Sequence, residues 1–160
     1  MKLTSALPLG IFVLVVVAIA GCTSSVQTGT SVGLTIEDSF LALQDAQGTL
    51  ILVEGNTFTR GQSVNFVFMN VGEFEKGSDG KNWFDIDLAV TGPDGKSVLS
   101  QQGMLGENGH IALDGNVAAS PYAGFPTTAS MPTGTYQVTM IIKDKVGGTS
   151  ATKSTTFTLA

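Results

Sequence analysis

Apolar and polar residues alternate one by one in short runs through most of this chain. That period of two is its strongest structural constraint, because successive side chains leave a strand on opposite faces. Val64, Phe66 and Phe68 share one face of 64–70, and Phe84, Ile86, Leu88 and Val90 share one face of 83–90. Tyr136, Val138, Met140 and Ile142 make a third stripe, and Phe157 with Leu159 a fourth. No segment keeps helical spacing. Turn signals punctuate the runs: Asp45-Ala46-Gln47-Gly48, Arg60-Gly61, Gly92-Pro93-Asp94-Gly95-Lys96 and Val146-Gly147-Gly148. Strands at intervals of roughly 8 to 12 residues predict an all-β, almost purely antiparallel sandwich or barrel. Residues 114–132 lack the alternation and are expected to form a long, irregular connection or edge.

The pattern begins only near residue 34. Before it, Lys2 is the only charge ahead of an apolar stretch from Leu9 to Ala20, which is followed by Gly21 and Cys22. This is a secretory signal layout, and the stretch is short for a membrane span, which needs about 20 residues. Ile19-Ala20-Gly21-Cys22 resembles the lipobox of prokaryotic lipoproteins. The resemblance implies cleavage before Cys22 and a lipid on its thiol. Cys22 is the only cysteine, so an intrachain disulfide is impossible. The predicted organisation is a lipoprotein signal peptide over 1–21, a lipidated flexible tether over 22–33, rich in Ser, Thr and Gly, and one β domain over 34–160. The expected location is extracytoplasmic, lipid-anchored to the cell membrane or cell surface.

Without residues 1–21, seven basic against thirteen acidic side chains leave a net charge of −6. An acidic surface with scattered lysines argues against a nucleic-acid partner or an anionic headgroup, both of which call for a clustered basic patch.

The C-terminal stretch "PTGTYQVTMIIKDKVGGTSATKSTTFTLA" resembles the last two strands of an immunoglobulin-like surface domain of the PKD, bacterial Ig or macroglobulin type. The resemblance implies an antiparallel immunoglobulin-like β-sandwich of about seven to nine strands, in which Gly134-x-Tyr136 forms a tyrosine corner with its phenol bonded back to the backbone. Val90-Thr91-Gly92-Pro93-Asp94-Gly95 is similar to a hairpin of macroglobulin-type domains. The likeness spans about 30 residues and transfers no function.

Catalytic motifs fail on context. Gly29-Thr30-Ser31-Val32-Gly33 matches the G-x-S-x-G elbow, but it lies in the tether without the strand and helix that elbow needs. Ser150-Ala151-Thr152-Lys153 matches S-x-x-K, which requires a helix; on a strand, residues three apart face opposite ways. His110 is the only histidine, and "GENGHIAL" reads as a turn entering a strand. A blue-copper site needs two histidines and a cysteine, and Met69, Met104 and Met131 are read as core packing. No catalytic residue, metal ligand or cofactor is therefore expected.

Binding chemistry concentrates in "NVGEFEKGSDGKNWFDIDLAV". Asp85 and Asp87 alternate with the stripe of Phe84, Ile86 and Leu88, so both should project from one solvent face, roughly 7 Å apart. With Glu73, Glu75 and Asp79 they could supply oxygens to calcium, which takes about six to eight, or simply mark a solvated surface; the EF-hand spacing is absent. Trp83, out of phase with the stripe, is either a platform beside Asp85 for a sugar ring or apolar patch, or a cap on the core. Trp83, Asp85 and Asp87 are thus the candidate ligand-binding residues. The expected function is a lipid-anchored binding module serving a cell-envelope assembly through a protein partner, without enzymatic activity. The alternative is a stand-alone sugar or calcium binder feeding a transporter or envelope enzyme.

Overall fold

The computed structural model describes Gln27–Thr28 and residues 33–160 apart from Ala46, Asn116 and Ala119. The signal peptide and Cys22 lie outside the described residues, as does most of the predicted tether. Among those described, twelve strands form two sheets: β1 (Gln27–Thr28), β2 (Thr35–Gln44), β3 (Leu50–Leu52), β4 (Thr57–Phe58), β5 (Ser63–Gly72), β6 (Asn82–Thr91), β7 (Ser97–Gln101), β8 (His110–Ile111), β9 (Val117–Ala118), β10 (Tyr122–Pro126), β11 (Gly134–Asp144) and β12 (Thr149–Leu159). One sheet runs β1-β12-β11-β6-β7, with β4 on β12 and β8 on β6; the other runs β10-β5-β2-β3, with β9 on β5. The fold is the predicted β-sandwich.

The count exceeds nine because β1, β4, β8 and β9 are two-residue strands with too little alternation to see in sequence. The sheets are also not wholly antiparallel, since β4 pairs with the end of β12 in parallel. Residues 114–132 hold β9 and the edge strand β10, whose five residues pair with β5. Within the stretch read as tether, Gln27–Thr28 pair with Ser154 and Lys153 of β12.

The predicted stripes build the core. Val64, Phe66 and Phe68 of β5 face Phe84, Ile86, Leu88 and Val90 of β6, Tyr136 to Ile142 of β11 and Phe157 with Leu159 of β12, all buried in one cluster. Phe157 is its aromatic hub. Its ring stacks on Tyr136 at 5.3 Å between centroids and lies 5.7 Å from both Phe58, edge-on, and Phe125, geometries that add to area burial. The Tyr136 hydroxyl donates to the Pro132 carbonyl at 2.7 Å, which is the tyrosine-corner bond. Burial pushes this phenol's pKa up. Of the methionines read as core, Met131 is half-buried and packs against the core cluster, Met69 is half-buried outside it and Met104 is exposed, whereas Met140 is fully enclosed. The alternation places only Met140 on an inward position.

Candidate functional site

The outward positions of β6 carry Trp83, Asp85 and Asp87, on one face as predicted. Trp83 is half-buried, and the two aspartates are not open to solvent, which corrects their expected projection: Asp85 is 2% exposed and Asp87 8%. The strand rule fixes which face a side chain takes, but not what the chain later lays over it. The segment 102–109 crosses this face as a strap. Gly103 N–H donates to Asp87 Oδ1 at 2.9 Å, Leu105 N–H donates to Asp85 Oδ1 at 2.9 Å, and Met104 N–H reaches the Ile86 carbonyl at 2.9 Å. The Trp83 indole N–H donates to the Gly106 carbonyl at 3.2 Å.

Two lysines of the neighbouring chain segment close the arrangement diagonally. Lys143 stands opposite Asp85 in register, yet its ammonium pairs with Asp87 Oδ2. Lys145, whose N–H bonds the Trp83 carbonyl, reaches Asp85 Oδ2 at 3.0 Å. Such diagonal neighbours lie within reach of long side chains. Burial raises the Asp85 pKa, but the Leu105 N–H, Lys145 and the Ile86 N–H together outweigh it and hold the carboxyl below its ordinary value. Lys145 Nζ also sits 4.8 Å from the Trp83 ring centroid, and His110 stacks on that ring at 5.4 Å. His110 Nε2 is 3.0 Å from Asp79 Oδ2.

Trp83, Asp85 and Asp87 are therefore brought together, and each is engaged by the protein itself. Both aspartates have one oxygen on strap amides and the other on a lysine. Glu73, Glu75 and Asp79 do not converge with them: Glu75 N–H bonds Asp144 Oδ2 at 2.7 Å, and Asp79 pairs with His110. Among the described residues, no group of three or more His, Cys, Asp or Glu side chains is placed to hold a metal ion. Ser150 opposes Lys143 on the outward face, and Lys153 opposes Met140 on the inward one, so the S-x-x-K pair is split as strand spacing requires.

A second surface was not singled out in the sequence. On the outward side of the five-stranded sheet, Tyr122, Val67 and Phe40 align across β10, β5 and β2, and the next row is Gly124, Asn65, Ala42 and Leu52. Val67 and Ala42 are buried although neither joins the core cluster. Tyr122 is 44% and Leu52 63% exposed. Gly124 makes room for the buried Asn65 side chain: a Cβ there would stand 2.2 Å from Asn65 Oδ1. The signal was the run "SVNFVFMNV", apolar at Val67 and Met69 as well as at the inward positions, which marks a strand with two apolar faces.

No protein-family model matches the chain, and no curated protein matches it significantly. Among the described residues, no helix is long and apolar enough to cross a membrane. Solved structures share the fold. The C-terminal domain of Wzt is similar over 84% of this chain and 78% of its own, at 14% identity and a TM-score of 0.53. A Niemann-Pick type C2 protein from the Japanese carpenter ant is similar over 85% of this chain and 99% of its own, at 9% identity and a TM-score of 0.54.

Proposed function

We propose that this chain is a lipid-anchored, extracytoplasmic β-sandwich binding module that serves as an accessory or structural component of a cell-envelope assembly, and that it is not an enzyme. The observation that carries this reading is the pair of large apolar side chains, Tyr122 on β10 and Leu52 on β3, that stand exposed on the outward side of the five-stranded sheet. Aromatic and aliphatic side chains of this kind are the anchors around which protein interfaces form. The lipobox at Ile19-Ala20-Gly21-Cys22 supplies the anchor, and its position ahead of the β domain holds that face outside the cytoplasm. The alternative of a sugar or calcium binder working through Trp83, Asp85 and Asp87 is less well supported, because the hydrogen-bonding capacity of those side chains is spent on the strap and the lysines.

The test joins anchor and partner. Cys22→Ala is expected to move the protein from the membrane to the soluble fraction and to abolish labelling by radioactive fatty acid. Lysine-directed crosslinking on intact cells, followed by mass spectrometry, is expected to join the wild-type chain to a defined envelope protein through Lys76, Lys81 or Lys96. Unchanged fractionation, or only self-links despite good labelling, would sink the respective half of the proposal.

A further inference from the structure

Met69, Met104, Met131 and Met140 lie among the described residues, and the fold leaves their sulfurs in different states. Met140 is 0% exposed inside the core cluster. Met69 and Met131 are half-buried, and each sulfur accepts a hydrogen bond: the Ser120 hydroxyl donates to Met69 Sδ at 3.3 Å, and the Thr128 N–H donates to Met131 Sδ at 3.4 Å. Met104 is 39% exposed, and the only hydrogen bonds to sulfur among the described residues are the two just given. It sits in the middle of the strap. Its own N–H bonds the Ile86 carbonyl at 2.9 Å, and the N–H groups on either side of it hold Asp87 and Asp85. Three consecutive amides thus pin the backbone to β6, so the place of this residue does not rest on what its side chain touches.

We propose that Met104 is an oxidative modification site, a surface thioether that hydrogen peroxide or an organic hydroperoxide converts to the sulfoxide ahead of the other described methionines and without loss of the fold. In this step a sulfur lone pair attacks the distal peroxide oxygen. The S–O bond forms as the O–O bond breaks, and the sulfur gives up two electrons. The departing hydroxide or alkoxide takes the proton of the transferred oxygen and leaves as water or an alcohol. The reaction needs both access and a free lone pair on sulfur, a weak acceptor that a donor occupies in Met69 and Met131 and that burial closes off in Met140. Oxidation makes the side chain polar, which disrupts a core but is tolerated where the sulfur already meets water. A thiol-dependent methionine sulfoxide reductase, which returns the sulfoxide to the thioether, needs the same access, so the change at this position is reversible. The inference goes beyond the binding-module reading and does not depend on it.

The test exposes membranes carrying the full chain to hydrogen peroxide and follows each methionine peptide by mass spectrometry. Met104 is expected to gain an oxygen about tenfold faster than Met69 or Met131, with Met140 untouched, and the ranking should vanish when the reaction is run in urea. Protein oxidised at Met104 alone should keep the urea midpoint of the untreated protein, and a methionine sulfoxide reductase supplied with a dithiol should return Met104 to its original mass. In a Met104→Leu variant, a swap of similar volume, the fast phase should disappear with no change at the other methionines. Met69 or Met131 keeping pace with Met104 in the folded protein would overturn the assignment. So would a midpoint that falls with the first oxygen, or a sulfoxide that the reductase fails to reverse.

Discussion

Tyr136 shows how much one side chain can organise. Its ring completes the stack on Phe157, and its hydroxyl ties β11 back to Pro132. Tyr136→Phe keeps the ring and loses the bond, so it is expected to lower unfolding free energy by about 1 kcal/mol, read as a shift in urea midpoint at constant slope. Asp85 carries a pH signature. Its pKa is depressed in the folded state, so its contribution is present above the unfolded value of about 3.9 and is lost as pH falls through the lower folded value. Urea midpoints of the wild type should drop as pH falls below about 4. Asp85→Asn, having lost that contribution at every pH, should be less stable at neutral pH and show a shallower acid decline. The Tyr136 corner was legible in the sequence because Gly-x-Tyr at a strand entry is a local pattern. The burial of Asp85 was not, because the strap amide that caps it, Leu105 N–H, comes twenty residues later.

At the scale of elements, the long strands were legible and the short ones were not. β5, β6, β11 and β12 each run ten or eleven residues. The inward stripe is unbroken from Phe84 to Val90 and from Tyr136 to Ile142, while Asn70, with φ at 48°, ends that of β5 and Lys153 interrupts that of β12. Alternation over such lengths admits little else. The turn after β6 followed its chemistry: Gly95, with φ at 77°, closes Gly92-Pro93-Asp94-Gly95-Lys96 while Lys96 N–H bonds Asp94 Oδ1. The strap over 102–109 has no such signature. It is held by tertiary bonds to β6 and fixed in close contact by Gly109, where a Cβ would stand 1.9 Å from the Phe84 carbonyl oxygen. Asp87→Ala removes the acceptor of Gly103 N–H and leaves Lys143 without its carboxylate. It is expected to free the strap locally: hydrogen exchange at Gly103 and Met104 should quicken while the amides of β11 and β12 keep their protection, and stability should fall by about 1–3 kcal/mol. Uniform loss of protection across the molecule would mean that the strap is part of the cooperative core.

For the molecule as a whole, the sandwich architecture followed from the alternation, but the binding surface did not. Trp83, Asp85 and Asp87 are the side chains of β6 richest in binding chemistry, which is what the bare sequence displays. The fold spends those on itself and leaves Tyr122 and Leu52 exposed at the edges of an apolar band whose members come from β2, β3, β5 and β10 and meet only through strand register. Phe40, Leu52 and Tyr122 are far apart in sequence, and each alone is an ordinary surface apolar residue. The most direct test is sedimentation velocity of the native protein, extracted from its membranes in mild detergent, for the wild type and for a Leu52→Lys, Tyr122→Ser variant. The predicted result is a wild-type chain in a complex heavier than itself and a variant that sediments alone with an unchanged urea midpoint. A variant still in the heavy complex, or a wild type that sediments alone, would contradict the account.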